Sequence, residues 1–302
     1  MSYLLGIDLG GSSVKAVAVT PVGETLGRFN ESFAPDQRLH FAETVRDLVQ
    51  RVTSEQKLPP DRIGLSAPGL AARDGRSIAF MPGRLDGLVG LDWTDYLKAE
   101  KPVAVINDAH AALLGEVWLG AAKGFTNVIM LTLGTGVGGA AMVDGRLLRG
   151  HSGKAGHLGH VSLDLHGPPD VCAMPGSLEF QIGNYSIGQR SGGRFATTHE
   201  LIAAYRAGDT PAKEVWLRSL EALAVAIGGL TNVLDPEAVI IGGGIARAGG
   251  DLFDPLEPMV RRAEWQVCGH QVKLLPAQLG ELAGAYGAAW NAAHDGDPSL
   301  VR

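Results

Sequence analysis

Residues 6–19 read GIDLGGSSVKAVAV, a cluster of glycine and serine between two apolar runs, and residues 130–143 repeat the pattern as MLTLGTGVGGAAMV. Each segment predicts a β-hairpin whose turn exposes backbone N–H groups and small hydroxyls. Glycine permits a positive φ and a close approach of the backbone to a ligand, so such a turn can wrap a polyphosphate. Two copies, one in each half of the chain, predict two related lobes that face one phosphate-bearing ligand.

The composition restricts the class of protein. The chain has 302 residues, 45% hydrophobic and 19% charged, as expected of a globular fold with one or two domains. A net charge of −6 provides no basic surface for nucleic acid. The two cysteines, Cys172 and Cys268, are too few for a disulfide framework and fit a reducing cytoplasm. We expect no signal peptide, because the N-terminal MSYLLGIDLGG lacks a basic region and runs straight into the first strand. We expect no membrane span, because four glycines interrupt the apolar stretch Val128–Val143.

Hydrophobic periodicity predicts the remaining elements. Strands are expected at Tyr3–Asp8, Val14–Val19, Glu24–Ser32, Arg62–Ser66, Pro102–Ile106 and Glu237–Ile241. Helices are expected at His40–Glu55, Ala109–Leu119, His199–Ala207, Ala212–Val233 and Leu282–Ala293. Residues 71–93 and 149–193 are predicted as loops, and a loop as long as the second usually has a function. We expect an N-terminal lobe of residues 1–109, completed by a C-terminal helix at about 290–302, and a C-terminal lobe of residues 110–289.

The first glycine turn carries residue types that bind nucleotide phosphates and magnesium. Asp8 would face hydrated Mg²⁺, a hard cation that prefers oxygen ligands. The candidates for holding the β- and γ-phosphates are Gly10, Gly11, Ser12, Ser13 and Lys15, and, in the second turn, Gly134, Thr135 and Gly136. A tight hairpin with an Asp at a strand end is the purely structural alternative, and the presence of the second turn favours phosphate binding over it.

Two further motifs follow apolar strands. Asp108 stands where a strand ends and a helix begins, and ligands of open α/β sheets bind beyond the carboxyl ends of strands. It is a candidate general base that takes a proton from an attacking hydroxyl, or else it is the N-cap of the helix. The triplet Gly242-Gly243-Gly244 would pack against an adenine ring or the phosphates, or form only a strand-to-helix turn.

Together, these motifs resemble those of the ROK family of repressors and sugar kinases, within the actin-like ATPase superfamily. The matching segments are residues 6–16, Val105–Ala109, Leu133–Gly139 and Pro236–Ile245, in the family's order and over nearly the whole chain. The resemblance implies an α/β, ribonuclease H-like, actin-like ATPase fold with two lobes and a cleft between them. It also implies an ATP- and Mg²⁺-dependent kinase that transfers the γ-phosphate to a hydroxyl of a sugar or sugar-like polyol, with Asp108 as the base.

The chain departs from the family's sugar-binding pattern. Ala155–His160 aligns with the family's A-G-E-x-G-H, so His157 replaces a glutamate, and alignment on Pro82-Gly83 puts Phe80 where the family has asparagine. A carboxylate can accept from two neighbouring hydroxyls, whereas a neutral imidazole offers one donor and one acceptor. We therefore expect a sugar specificity different from that of glucokinases. The candidate substrate-binding residues are Phe80, Asn107, Asp108, His157, His160 and Glu179.

The family's zinc pattern is also altered. Residues 170–179 read DVCAMPGSLE, where the family has C-x-C-G-x-x-G-C-x-E, so Asp170 and Ser177 stand in place of cysteines. His160 and Cys172 are kept, with Asp170 as a weaker third candidate. A structural zinc site needs four firm nitrogen or sulfur ligands, so bound zinc is not expected.

Other functions remain as alternatives. The altered sugar site would suit a non-catalytic sugar sensor or degenerate kinase, although Asp108 and both phosphate turns argue against it. A transcriptional regulator is less favoured, because the family's repressors carry a DNA-binding segment ahead of the first strand. We expect a cytoplasmic homodimer with a small-molecule sugar substrate and no nucleic-acid or membrane partner. The identity of the sugar, the hydroxyl that is phosphorylated and the donor (ATP or polyphosphate) stay open.

Overall fold

The computed structural model describes residues 2–294, and the chain divides into two compact units. In chain order the strands are β1 (Leu4–Leu9), β2 (Ser13–Val19), β3 (Thr25–Ser32), β4 (Arg62–Ala67), β5 (Leu70–Ala71), β6 (Ile78–Phe80), β7 (Ala104–Asn107), β8 (Val128–Leu133), β9 (Val137–Val143), β10 (Arg146–Leu147), β11 (Ala238–Gly242) and β12 (Lys273–Pro276). The α-helices are α1 (His40–Gln56), α2 (Trp93–Leu97), α3 (Asp108–Leu119), α4 (Leu178–Ile182), α5 (Ile187–Arg190), α6 (Thr198–Arg206), α7 (Thr210–Leu234), α8 (Gly250–Ala263) and α9 (Ala283–Ala293).

The first unit comprises the chain up to Gly124, residues 145–155 and the segment from Gln278 onward. Its five-stranded sheet has the order β3-β2-β1-β4-β7. The hairpin partners β1 and β2 are antiparallel, whereas β4 is parallel to β1 and β7 is parallel to β4. Because β1, β4 and β7 run in the same direction, their carboxyl ends meet at one edge of the sheet.

Helix α9 packs closely against the sheet and against α3, through positions that only glycine can occupy. A Cβ on Gly64 of β4 would lie 1.8 Å from the carbonyl oxygen of Ala288, and one on Gly287 would lie 1.7 Å from that of Ala111. Both distances are far below van der Waals contact, so the backbones touch without intervening side chains. Since α3 packs on α9 in this way, it belongs to the first unit, and the division of the chain falls later than the expected boundary at residue 109.

The second unit comprises Phe125–Asp144 and Gly156–Ala277. In its sheet β8 pairs with β9 antiparallel and with β11 parallel, and β11 is parallel to β12. Helix α7 has the length and the apolar composition of a membrane span, but the core helices of soluble proteins can have both as well. Its buried side chains include Trp216, Leu220 and Leu223, and Gly228 packs against Ala263 of α8.

The strands and helices expected from periodicity lie within two residues of their observed bounds, while several elements were not expected. The C-terminal helix expected at about 290–302 lies mostly outside the described residues. Helix α8 contains Pro255 and Pro258, which remove backbone donors and disfavour helix. The helix forms nevertheless, because Leu252, Leu256 and Val260 recur every four residues and are all buried. The region predicted as loop at residues 71–93 contributes to the short β5–β6 hairpin, and residues 149–193 contain α4 and α5.

Candidate active site

In the first unit, Asp8 lies at the carboxyl end of β1, directly beside Ser66 of β4 in the sheet register. The Ser66 hydroxyl donates a hydrogen bond to Oδ1 of Asp8. Burial raises the pKa of Asp8, and the Ser66 hydrogen bond and the nearby Lys15 ammonium offset this only in part. As a residue, Asp8 is partly exposed, as a side chain that faces a hydrated cation must be.

The first glycine turn is held by its own backbone. The Gly10 N–H donates to the Ser13 carbonyl at 2.9 Å, and the Ser12 carbonyl accepts from Phe33 N–H at 3.0 Å. Gly11 and Ser12 are exposed at the tip, as an anion-binding turn requires. Lys15, expected at the phosphates, has its Nζ 3.1 Å from the Glu281 carboxylate, so the structure gives this side chain a protein partner as well.

Asn107, and not Asp108, caps helix α3. Its Oδ1 accepts from the N–H groups of Ala109 at 3.0 Å and His110 at 3.1 Å. Its Nδ2 donates to the Gly69 carbonyl and to Oδ1 of Asp108, both at 2.9 Å. The N-cap alternative for Asp108 is therefore wrong. These bonds commit the Asn107 amide to orienting Asp108, and a contact of Asn107 with substrate stays a prediction.

The Asp108 side chain is exposed, although dense protein surrounds the position. Desolvation of the carboxyl group by the surrounding protein and the charge of Asp8 raise the pKa of Asp108. Hydrogen bonds from Ala109 N–H and the Asn107 amide lower it, and the resulting pKa is about 6. A general base is most effective when its pKa is close to the working pH and its carboxylate can be reached by a substrate hydroxyl. Asp108 meets both conditions.

Phe80 lies on the small hairpin that adjoins Asn107. Gly69, whose carbonyl accepts from Asn107, precedes β5, and Leu70 of β5 pairs with Phe80 of β6. Gly69 has a φ of 97°, and a Cβ there would lie 2.5 Å from the Phe80 carbonyl oxygen. Phe80 itself is 56% exposed. The structure thus brings Phe80 near Asn107 and leaves its ring open to a ligand.

In the second unit, the two remaining glycine motifs are neighbours. The Gly134 N–H donates to the Gly136 carbonyl at 2.9 Å, and Thr135 is exposed between them. Gly243 has a φ of 87°, and a Cβ there would lie 2.3 Å from the carbonyl oxygen of Leu133, which precedes this turn. Gly242 is buried, while Gly243 and Gly244 are exposed. Only glycine fits at position 243, because the backbone there touches the carbonyl group of Leu133. This contact places the triplet beside the second turn.

Glu179 and the 3₁₀ turn that carries His160 are brought together by their contacts with Val137. The 3₁₀ turn Leu158–His160 packs on β9 so tightly that a Cβ on Gly159 would lie 1.9 Å from the Val137 carbonyl oxygen. Oε2 of Glu179, on α4, accepts from Val137 N–H at 2.9 Å. His157, partly buried, immediately precedes the same 3₁₀ turn. Sugar contacts by these three residues stay predictions.

The residues at the zinc positions do not fit a structural zinc site. Ligand atoms of His160, Asp170 and Cys172 lie within 4.8 Å of one another. The Asp170 carboxylate, however, already accepts from His160 Nδ1 and Cys172 N–H, both at 2.8 Å, and from Met174 N–H at 3.0 Å. Burial, followed by the charges of Asp170 and Glu179, raises the pKa of the Cys172 thiol, whereas zinc binds thiolate.

Sequence reasoning missed two residues that shape the environment of Asp8. Ser66 is polar in an otherwise apolar strand next to β1, and that contrast could have identified it. Gly284 of α9 lies so close that a Cβ there would be 2.7 Å from Cγ of Asp8. Gly284 lies in a run of small residues, and nothing in that run predicts that it packs against Asp8.

Comparison with known proteins identifies the family. The chain matches the ROK family over residues 4–295. The glucokinase of Thermotoga maritima is 32% identical over 306 residues, which cover 95% of this chain and 96% of that protein. The N-acetylmannosamine kinase of Shigella flexneri is 31% identical over 291 residues, which cover 95% and 97%.

Among solved structures, a ROK family glucokinase from Streptomyces griseus in complex with glucose and AMPPNP superposes with a TM-score of 0.79. It is 26% identical, and the match covers 97% of this chain and 100% of that one. The α/β actin-like ATPase fold expected from the sequence is confirmed. The prediction of a phosphotransferase that acts on a sugar hydroxyl is confirmed as well.

Proposed function

The chain belongs to the ROK family and is an ATP-dependent sugar kinase, and from this premise we propose that it phosphorylates a sugar or sugar-like polyol other than glucose. The observation that carries the catalytic part is the Asn107–Asp108 pair. It presents an exposed carboxylate of raised pKa at the carboxyl end of β7. We propose that this kinase acts in the cytoplasm.

Each group in the first unit has one task in the proposed mechanism. Asp108 accepts the proton of the sugar hydroxyl as that oxygen attacks the γ-phosphate, while Asn107 holds the Asp108 carboxylate in place. Asp8 would hold hydrated Mg²⁺, which would supply positive charge to neutralise the transferred phosphoryl group. The first turn offers the backbone N–H groups of its exposed residues, Gly11 and Ser12, to the phosphates, with Lys15 as a further positive charge.

The second unit is proposed to bind the rest of the nucleotide and to orient the sugar. The N–H groups of Thr135 and Gly136 in the second turn contact phosphate, and Gly242–Gly244 pack against the adenine ring or the phosphates. His157, His160 and Glu179 hydrogen-bond the sugar hydroxyls. The proximity of the triplet to the second turn, and of Glu179 to Val137 N–H, supports this assignment.

The specificity proposal rests on two side chains. The imidazole of His157 replaces a carboxylate that could accept from two adjacent hydroxyls, which removes a charge-assisted acceptor. The exposed ring of Phe80 offers an apolar face that suits a deoxy position, a C–H face of the sugar ring or an anhydro bridge. A site built around such groups discriminates against a sugar whose hydroxyls lose their partners.

We expect glucose to rank below another sugar when ATP turnover is measured against a panel of sugars and polyols, with ATP and polyphosphate compared as donors. His157→Glu should raise kcat/KM for glucose about tenfold, or about 1.4 kcal/mol, if one hydrogen bond is restored. His166→Glu, at an exposed histidine of the same unit, is the matched control and should leave the ranking unchanged. Glucose as the best wild-type substrate would refute the specificity proposal. Sugar binding without turnover would favour a sensor.

A homodimer is proposed from exposed apolar side chains of the second unit. Val225 and Val233 lie on α7 and are exposed. Trp265 is 76% exposed, and its backbone N–H donates to Oδ1 of Asn232 on the same helix at 2.9 Å. Light scattering after size exclusion should give a dimer for the wild type and a monomer for Trp265→Glu. Val22→Glu, at an equally exposed apolar residue of the first unit, should stay dimeric. A monomeric wild type would contradict the proposal.

A further inference from the structure

The loop from residue 161 to residue 177 connects two proposed sugar-contacting residues. It leaves the 3₁₀ turn that ends at His160 and returns to α4, which carries Glu179. At its base, Leu178 N–H donates to the Val161 carbonyl, and Leu163 N–H donates to the Gly176 carbonyl, both at 2.9 Å. The base is thus a short piece of antiparallel backbone pairing. Further backbone bonds close the far end, from Gly176 N–H to the Pro168 carbonyl at 2.8 Å and from Asp170 N–H to the Met174 carbonyl at 2.9 Å.

That end converges on the Asp170 side chain, which is fully buried. Its Oδ2 accepts from His160 Nδ1 at 2.8 Å, and its Oδ1 accepts from the N–H groups of Cys172 and Met174. Burial by itself raises the pKa of Asp170. Hydrogen bonds from His160, Met174, Ser177 and Cys172 outweigh this and hold the pKa below its ordinary value. Both carboxyl oxygens thus face hydrogen-bond donors, the surroundings that suit a carboxylate, which can only accept.

Ser177 connects this carboxylate to the helix of Glu179. Its hydroxyl lies close enough to Asp170 to lower the pKa of that carboxyl group, and it accepts from Phe180 N–H at 3.2 Å, as the N-cap of α4. An N-cap serine satisfies helix N–H groups that otherwise have no partner. One buried carboxylate is thus bonded to His160 and, through Ser177, linked to the start of the helix that carries Glu179.

The polarity of this cluster is the inverse of that of a metal site. A zinc ion is a central cation surrounded by lone pairs of nitrogen and thiolate ligands. Here the centre is an anion, and the groups around it are donors: an imidazole N–H, a hydroxyl and two backbone N–H groups. Because an ionised carboxylate is only an acceptor, His160 must carry its proton on Nδ1 and direct Nε2 away from Asp170.

We propose that Asp170 is a positioning residue that replaces a structural metal ion, so that the loop is ordered without zinc and His160 is held in a single tautomer. That His160 then contacts the sugar rests on the proposed function. The ordering of the loop and the tautomer of His160 do not. Removing the carboxylate breaks the link between His160 and α4, and this weakens sugar binding while the nucleotide motifs are untouched.

The test compares Asp170→Asn with Asp164→Asn, a matched control on the same loop whose carboxylate accepts only from His166 N–H among the bonds described. Asp170→Asn should raise the sugar KM about tenfold at unchanged ATP KM, the scale of a lost charge-assisted hydrogen bond. The ¹⁵N shifts of His160 should report an Nδ1–H tautomer in the wild type and in Asp164→Asn, and a tautomer mixture in Asp170→Asn.

A gain-of-metal variant keeps the proposal testable if Asp170→Asn fails to fold. Wild-type protein should contain no stoichiometric zinc by elemental analysis and should be insensitive to a zinc chelator. The double variant D170C/S177C, which places three thiols beside His160, should bind one zinc per chain and depend on it for thermal stability.

Two results would overturn the proposal: one zinc per wild-type chain that is lost in Cys172→Ala, or an unchanged His160 tautomer in folded Asp170→Asn. A wild type that phosphorylates no sugar would contradict the proposed function only. The zinc content and the His160 tautomer would still decide the role of Asp170.

Discussion

Asp108→Asn is expected to lower kcat by about 10²–10⁴-fold, the usual contribution of a general base. The asparagine oxygen can still accept from Ala109 N–H, so helix α3 and its Asn107 cap should be retained. The amide cannot take up a proton from the sugar hydroxyl, so the loss should fall on the chemical step. Single-turnover phosphoryl transfer with the preferred sugar measures it directly.

The pH profile provides an independent check on the same residue. Because the base acts in its ionised form and its pKa is raised to about 6, wild-type kcat/KM should fall as the pH drops below about 6. The residual activity of Asp108→Asn should lack this acid limb, while circular dichroism and the affinity for a non-hydrolysable ATP analogue stay unchanged. More than half of the wild-type kcat in the variant would rule out Asp108 as the base.

Gly287→Ala should destabilise the first unit by about 3 kcal/mol or more, at the upper end of overpacking effects. The added Cβ would lie 1.7 Å from the carbonyl oxygen of Ala111 and 2.9 Å from the nitrogen of Gly115, both backbone atoms of α3. No side-chain rotation relieves such a clash, so α9 has to move away from α3 and from the sheet. The free energy of unfolding in urea and the thermal midpoint measure this effect.

Gly229→Ala is the matched control, since it makes the same chemical change in the middle of a helix. Within the described part of the chain, no atom beyond the neighbouring backbone of α7 lies within 4 Å of a Cβ at Gly229. Alanine there should stabilise the protein by about 0.5–1 kcal/mol, because it favours helix over the unfolded chain. If both variants were equally stable, the close contact between α3 and α9 would be wrong.

The glycine-rich hairpins show how much of the fold a local sequence pattern can predict. Alternating and continuous apolar runs, broken by glycine and small hydroxyls, predicted both hairpins and the strand that ends at Asn107, within two residues. The order of the motifs along the chain then identified the family, and with it the fold and the reaction class. Helix α8 was not predicted, because its two prolines disfavour a helix. The helix forms because burial of Leu252, Leu256 and Val260 stabilises it by more than the prolines destabilise it.

What the sequence alone determined is the long, strongly periodic elements and the chemical types at their ends, since side-chain periodicity and turn chemistry act over a few residues. The tertiary structure decided which groups meet: Ser66 with Asp8, the Asn107 amide with Gly69 and Asp108, and Asp170 with His160. Partners such as Asp8 and Ser66 are 58 residues apart, and no local pattern specifies a hydrogen bond across that separation. Such a bond exists only because sheet register and helix packing bring the strand ends together, and the pKa and orientation of the candidate base follow from those contacts.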